Sequence, residues 1–191
     1  MRFRTWESVK KELDVICKQL KDDPRIITVG GTALLYHGLK KSTRDLDFVF
    51  PTQGECYWFA KALTAQGFEV RKSANVWRFI DFERNLYIDI SYGTVGDVAL
   101  TQSMFARLIE EQINGFSIWI VSLTDLFIMK ACHSVTTYET DAIGDALRIV
   151  ERVDMGEVED ELEYQSETVR RKVGMFMEEF GGYEKKYCKK I

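Results

Sequence analysis

A glycine pair followed by two alternating aspartates is the part of this sequence best suited to chemistry. Gly30 and Gly31 come directly after a short apolar run, where a strand is expected to pass into a helix. Two glycines at such a junction let the backbone approach a bulky anion, and the free amides of a helix start, with the hydroxyl of Thr32, are ready phosphate ligands. Thirteen residues separate Gly31 from Asp45, and Asp47 follows. This spacing predicts a phosphate-binding turn beside two acids.

The aspartate pair alternates with apolar residues, as expected of a strand with one buried face. Side chains at i and i+2 of a strand point to the same face, so Asp45 and Asp47 should project together. Adjacent carboxylates repel each other unless something positive lies between them, and a divalent cation is the commonest solution. Asp89 is an isolated acid within another apolar strand, where burial is costly without a metal or cationic partner. Three such acids can hold two ions about 4 Å apart, one activating the attacking oxygen and the other stabilising a departing pyrophosphate.

Each of these acids also has a plainer interpretation. Asp45 and Asp47 could form the solvent-facing edge of a strand. Asp89 could make a cross-strand ion pair with Arg78. Asp81, on the partner strand, is a competing third acid.

Hydrophobic periodicity and turn residues predict the elements that must position these side chains. The predicted helices cover residues 5–22, 32–36, 55–66, 123–133, 138–153 and 157–180. The predicted strands cover residues 26–29, 45–50, 68–72, 76–82, 86–92, 108–113 and 116–121. Asn114-Gly115 marks a hairpin between the last two strands, although residues 101–112 could also be read as a helix.

This order of elements predicts an α+β fold, with a short mixed β-sheet flanked by helices and a helical C-terminal region. We place the boundary after residue 122, so that residues 1–122 form the α/β core and residues 123–191 a helical region packed on it. Ser122 and Asp125 form a capping box that opens the first helix of that region. The chain of 191 residues is 46% hydrophobic, which is enough for a sizeable core.

Composition excludes several classes of protein. The net charge of −4 argues against an extended nucleic-acid-coating surface but leaves room for a local basic channel. The four cysteines are scattered, as in proteins of a reducing compartment. We find no secretion signal and no apolar run near the ~20 residues needed to span a bilayer, so we expect a cytoplasmic protein without a membrane partner.

With these motifs in place, the chain resembles the nucleotidyltransferase superfamily related to DNA polymerase β, over about residues 25–150. It is most similar to a small prokaryotic branch that includes abortive-infection type toxins and uncharacterised relatives. The matching residues are Gly30-Gly31-Thr32-Ala33-Leu34, His37-Gly38, Thr43-Arg44-Asp45-Leu46-Asp47 and the helix from Ser122 to Lys130.

The resemblance implies a nucleotidyltransferase fold and a Mg²⁺-dependent enzyme that moves a nucleoside monophosphate from an NTP to a hydroxyl. The acceptor could be tRNA or another RNA, a protein or a small molecule, and an antitoxin partner is implied by the toxin relatives. The implied catalytic and metal-binding residues are Asp45, Asp47 and Asp89. The implied nucleotide-binding residues are Gly30, Gly31, Thr32, Lys41 and Lys130.

The main alternative is a catalytically weak or inactive protein that keeps the fold and binds a nucleotide or a partner. Lys41 stands where relatives usually have arginine, and lysine offers a point charge instead of a bidentate fork. Thr140 stands where a basic residue is common. Lys130 could be a surface lysine whose stem covers apolar surface, and Asp141 could act only on its helix dipole. We expect the acidic run 157–163 to be a solvated helix face.

Overall fold

The computed structural model describes residues 3–20, 24–73 and 76–180, which contain eight helices and nine strands. The helices are α1 (Trp6–Cys17), α2 (Gly30–Tyr36), α3 (Gln53–Ala65), α4 (Gln102–Ala106), α5 (Leu123–Thr137), α6 (Thr140–Val150), α7 (Met155–Glu163) and α8 (Glu167–Phe180). The strands are β1 (Ile26–Thr28), β2 (Asp45–Phe50), β3 (Glu69–Lys72), β4 (Trp77–Asp81), β5 (Leu86–Tyr92), β6 (Thr94–Val95), β7 (Val98–Ala99), β8 (Ile109–Ile113) and β9 (Phe116–Ile120).

Seven of the described strands form a mixed sheet in the order β3-β4-β5-β2-β1-β9-β8. The pairs β2–β5 and β1–β9 are parallel, and the other neighbours in this sheet are antiparallel. Strands β6 and β7 pair with each other in a small hairpin. The fold is therefore the α+β arrangement with a mixed, helix-flanked sheet that the sequence predicts.

Helices cover the two faces of the sheet around β2. The ring of Phe48 lies 5.9 Å from that of Phe59 on α3, whereas the next side chain along β2, Asp47, accepts a hydrogen bond from Gly31 on α2. Because successive side chains of a strand alternate between faces, α3 and α2 lie on opposite sides of the sheet. The acids therefore belong to the α2 face.

One hydrophobic core includes residues from both of the predicted parts of the chain, before and after residue 122. A cluster of buried residues extends from Val9 on α1 through the sheet to Phe176 on α8. In the segment after residue 122, helix α5 lies against α2 and β7, and ten of its side chains are buried. The boundary after residue 122 stays a prediction.

The predicted elements agree with the structure in type, and their ends differ in several places. Helix α1 ends at Cys17 instead of residue 22, and residues 21–23 lie outside the described ranges. Helix α2 begins at Gly30, two residues earlier than predicted. The segment predicted as one helix over 157–180 is broken at residues 164–166 between α7 and α8. The segment 101–112 contains both the short helix α4 and the strand β8, and the β6–β7 hairpin was not predicted.

The prediction of a solvated acidic face over residues 157–163 is wrong at Glu161, which is fully buried. Arg107 lies between Glu161 and the buried Asp125, and donates to each carboxylate at 2.5 Å. Thr101 and Ser103 also donate to Glu161. We call Arg107, Asp125 and Glu161 the Arg107 cluster; it joins α5 to α7 and to the α4 segment.

None of the helices in the described ranges is long and apolar enough to cross a membrane.

Candidate functional site

The three acids singled out by the sequence lie on one face of adjacent strands. Asp47 on β2 is directly opposite Asp89 on β5 in the parallel pairing, and Asp45 precedes Asp47 by two residues on the same face. The structure thus brings together side chains that are 42 positions apart in the chain (from 47 to 89).

Helix α2 fixes the position of Asp47 through two hydrogen bonds. The amide of Gly31 donates to Oδ2 of Asp47 at 2.9 Å, and the amide of Asp47 donates to Oγ1 of Thr32 at 2.9 Å. The side chain of Thr32 is fully buried. The structure does not support the predicted phosphate contact of its hydroxyl, because the oxygen holds the backbone of β2 and is closed to solvent.

The glycine pair is required by the close approach of α2 to the acid-bearing strand. A Cβ atom on Gly30 would meet Oδ2 of Asp47, and one on Gly31 would meet Oγ1 of Thr43, each at 2.5 Å. Gly30 also has a φ of +55°, a left-handed conformation that side-chain-bearing residues rarely adopt. The space beside the two glycines is therefore occupied by the side chains of Asp47 and Thr43.

Burial and mutual repulsion disfavour ionisation of the paired acids. Removal from water raises the pKa of Asp47 to about 6, with Asp89 and Asp45 adding repulsion and Lys130 and the Gly31 amide acting in the opposite direction. Removal from water also raises the pKa of Asp45, partly offset by Arg78. The two carboxylates therefore lack enough positive charge from the chain, and a hard divalent cation with oxygen ligands fits them.

Asp89 differs from the other two acids because it has a cationic partner. Arg78 donates to both of its oxygens, at 2.7 and 2.5 Å, and lies 3.9 Å from a carboxylate oxygen of Asp45. This is the cross-strand pair that the sequence offered as the plainer interpretation. Within the described ranges no group of three or more His, Cys, Asp or Glu side chains is arranged to hold a metal ion. Asp45 and Asp47 are the two acids that Arg78 does not hold by hydrogen bonds, and Asp89 could join them at a cation only by sharing its oxygens with Arg78.

A cleft of about 500 Å³ opens in front of Asp45 and Asp47. Its other lining residues are Phe3, Gly31, Lys40, Ser42, Thr43, Arg44, Lys130, His133, Glu139, Asp141, Ala142 and Asp145. The cleft lies between the sheet and helices α5 and α6, and it carries charges of both signs.

Two lysines reach into this cleft and meet at one carboxylate. Lys130 on α5 and Lys40 from the α2–β2 loop donate to the same oxygen of Asp145, at 3.0 and 2.9 Å. Arg148 donates to the other oxygen at 3.2 Å. The Asp145 side chain is only 3% exposed. Lys130 is thus held in the cleft instead of lying free on the surface.

Lys40 was missed by the sequence analysis, and the nucleotide-binding role of Lys41 stays a prediction. Lys41 is exposed and lines a neighbouring recess with Thr140 and Arg148. That recess shares Lys40, Asp141 and Asp145 with the cleft but does not contain the paired acids. Lys40 and Lys41 are adjacent in the sequence and both could have been considered as phosphate ligands. Only the structure shows that Lys40 is the one that lines the cleft.

A second cavity of about 340 Å³ adjoins the cleft on the far side of Lys130. It is lined mainly by α5 and the β6–β7 hairpin; Val95, Leu126 and Met129 are among its apolar side chains, and Asp97 is among its polar ones. Lys130 and His133 line both cavities. A charged compartment beside an apolar one suits a ligand with a charged and a flat apolar part.

Comparison with known proteins gives both a family match and similar folds. A family described as "nucleotidyl transferase of unknown function" matches residues 9–186. The structure is similar to an antigenic nucleotidyltransferase-like protein from Paracoccidioides brasiliensis, with a TM-score of 0.62, 14% identity, and coverage of 96% of this chain and 94% of that one. It is also similar to ANT(2″)-Ia in complex with adenylyl-2″-tobramycin, with a TM-score of 0.58, 11% identity, and coverage of 81% and 94%. At these identities the likeness shows the fold alone, and none of the curated proteins matches the chain.

Proposed function

Since the chain belongs to the family of nucleotidyl transferases of unknown function, we propose that it moves a nucleoside monophosphate from an NTP to a hydroxyl acceptor. The observation that carries this proposal is the convergence of the acids: Asp47 faces Asp89 across β2 and β5, with Asp45 on the same face. The glycine turn of α2 lies against them, and Gly31 donates to Asp47.

Mg²⁺ is the proposed cofactor, with Asp45 and Asp47 as its ligands and Asp89 as a third acid. Support comes from the raised pKa values of Asp45 and Asp47 and from their oxygen donors. When bound, the ion would neutralise these acids and the polyphosphate and assist attack by the acceptor oxygen. Asp89 keeps lone pairs beyond those used by Arg78, so it can also accept the acceptor's proton.

The cleft lysines are the proposed ligands of the triphosphate. The ammonium groups of Lys40 and Lys130 lie together at Asp145, whose single negative charge is shared by these two lysines and Arg148. Lys41 and Arg148, in the adjoining recess, extend the positive surface toward the terminal phosphates. The apolar cavity beyond Lys130 suits the nucleobase, because a flat ring gains from burial against Leu126 and Met129.

The acceptor classes left open by the sequence are RNA, a protein side chain and a small molecule. ANT(2″)-Ia, whose fold is similar, was crystallised with adenylyl-2″-tobramycin, which illustrates the small-molecule case. A toxin role with an antitoxin partner stays a prediction, and the neighbouring genes would test it.

The decisive experiment is incubation of the full chain with each α-labelled NTP, Mg²⁺ and a cell extract, followed by identification of the labelled molecule. We expect Asp45→Asn and Asp47→Asn to abolish labelling while the far-ultraviolet circular dichroism spectrum is kept. Asp160→Asn, an exposed aspartate on α7 outside the cleft, is the matched control and should label normally. Retained labelling by the Asp47 variant would count against the site.

A nucleotide-binding protein without turnover is the second candidate, and one observation favours it. Arg78 holds both oxygens of Asp89, so the third acid is occupied by the chain's own cation. Calorimetry with each NTP and Mg²⁺, run beside a pyrophosphate-release assay, separates the two candidates. Binding without release supports the second candidate, and release supports the enzyme.

A further inference from the structure

The acids of the site are continued across the sheet by two arginines. Asp89 on β5 is opposite Arg78 on β4, and Arg78 is opposite Arg71 on the edge strand β3. Residues directly opposite each other in a sheet have side chains on the same face. Asp47, Asp89, Arg78 and Arg71 therefore form one row across four strands, and we call its last two members the arginine row.

Within the arginine row, the charge that the described chain leaves uncompensated is that of Arg71, because Arg78 is paired with Asp89 and lies 3.9 Å from Asp45. Arg78 uses Nε and one terminal nitrogen on Asp89, and its side chain is still 47% exposed. Arg71 is exposed and makes no hydrogen bond or ion pair with any residue that the structure describes. Like charges directly opposite each other destabilise a sheet. Glu69 lies on the same face two residues from Arg71 but forms no ion pair with either arginine. An external anion would offset this repulsion.

The position of the arginine row relative to Asp47 and Asp89 indicates whether it would bind the NTP or the acceptor. Phosphoryl transfer places the attacking and leaving oxygens roughly in line on opposite sides of phosphorus. The proposed triphosphate ligands Lys40 and Lys130 lie on the α5–α6 side of Asp47, so pyrophosphate leaves on that side. The acceptor then approaches from the β4–β3 side, over Arg78 and Arg71.

We propose that the acceptor is the 3′ end of a single-stranded polynucleotide, whose phosphates bind Arg71 and Arg78. This inference rests on the proposed function. In the transfer, the terminal hydroxyl oxygen forms a bond to the α-phosphorus and the bond from that phosphorus to the pyrophosphate oxygen breaks. Pyrophosphate leaves with the electron pair, and the hydroxyl proton passes to a carboxylate oxygen of Asp89. Arg71 suits this task because its planar fork matches phosphate oxygens, and Arg78 adds the terminal nitrogen that Asp89 does not use. A cationic small acceptor would be repelled by the same row.

The test measures binding of a short, fluorescent single-stranded oligoribonucleotide to the full chain by anisotropy, without nucleotide, over a series of salt concentrations. Arg71→Gln should weaken binding about fivefold at 0.1 M salt and reduce the slope of log K against log salt by roughly 0.7, the value for one lost phosphate contact to a single strand. Lys72→Gln is the matched control: it removes the same charge from the next residue, which points to the other face of β3. It should bind like the wild-type chain.

The outcomes separate this inference from the proposed function. Absence of binding by the wild-type chain, or equal losses in the Arg71 and Lys72 variants, would overturn the inference. Nucleotidyl transfer to a small molecule or a protein, at a rate that Arg71→Gln leaves unchanged, would also overturn it while the proposed function stands. Arg71-dependent binding without transfer to any acceptor would overturn the proposed function and, with it, this assignment of the acceptor. Labelling of the oligonucleotide's 3′ end, reduced in the Arg71 variant, supports both.

Discussion

Gly30 is packed so closely against Asp47 that any β-carbon at its position would lie 2.5 Å from the carboxylate oxygen Oδ2. The backbone there has a φ of +55°, which adds strain for any other residue. We expect Gly30→Ala to lower the free energy of unfolding by about 1–3 kcal/mol and to displace the acid, so that transfer is lost as well. Urea denaturation and the labelling assay measure the two effects.

Gly174→Ala on α8 is the control for that substitution. A β-carbon at Gly174 would meet nothing within 4 Å, and the residue lies inside a regular helix. Alanine there should stabilise the chain by about 0.5–1 kcal/mol, because it loses less backbone entropy than glycine. Equal stability of the two variants would contradict the proposed packing at Gly30.

The raised pKa of Asp47 predicts a pH-dependent stability. In the folded chain this pKa is about 6, against an ordinary value of 3.8. The folded state therefore binds the proton more tightly than the unfolded state, so the contribution of Asp47 to stability increases as pH falls from about 6 toward 4. Asp47→Asn removes the charge, and we expect it to be more stable than wild type at pH 7.5 and equal to it near pH 4.

Denaturation of both proteins at several pH values, without divalent ions, measures this difference. Added Mg²⁺ at pH 7.5 should stabilise the wild type and leave Asp47→Asn unchanged, since only the former keeps the paired carboxylates. Asp160→Asn controls for a general effect of losing one acid, because its side chain is exposed. A constant stability difference across the pH range would contradict the assigned environment of Asp47.

Asp145 is predicted to position the cleft lysines. Its buried carboxylate accepts hydrogen bonds from Lys40, Lys130 and Arg148. Removing the charge leaves these cations unpaired, so Asp145→Asn should lower the free energy of unfolding by on the order of 3 kcal/mol. Lys40→Gln should keep more stability but weaken NTP binding, measured by calorimetry. Lys41→Gln is its neighbour control, and a larger effect on binding from Lys41 than from Lys40 would contradict this assignment.

Because the Arg107 cluster joins α7 to α5, we expect the stability of the chain to depend on it. Both carboxylates of the cluster, on Asp125 and Glu161, are fully buried. Arg107→Met would leave two buried acids without their cation, at a cost of about 3–5 kcal/mol. Thermal unfolding followed by circular dichroism measures this loss. The exposed Arg152→Met is the control and should change stability little.

The local features of the site could be predicted from the sequence because they depend on short-range patterns. The alternation of acidic and apolar residues along β2 correctly predicts that Asp45 and Asp47 share a face. The turn residues correctly predict where most strands begin and end, to within one residue. The convergence of Asp89 with them depends on the pairing of β2 with β5, which periodicity does not encode. Resemblance to a family supplied that expectation.

Features that depend on long-range packing could not be predicted. The contact of Lys40 with Asp145 joins residues 105 positions apart, and the arginine row depends on strand order. Thr32 has the residue type of a phosphate ligand, but its hydroxyl holds the backbone of Asp47. Glu161 lies in an acidic run typical of solvent-facing helices, and its burial depends on Arg107 and on the hydroxyl groups of Thr101 and Ser103, which are distant in the chain.

The parallel pairing of β2 with β5 has a consequence for how relatives of this chain can diverge. The connection that leaves β2 at Phe50 passes through α3 before β3 begins at Glu69, and α3 packs on the sheet face away from the acids. Insertions or deletions there would change the back of the molecule without shifting Asp47 relative to Asp89. Length variation in this connection should therefore fall in the turns on either side of α3, at residues 51–52 and 66–68, while the two-residue interval from Asp45 to Asp47 stays constant.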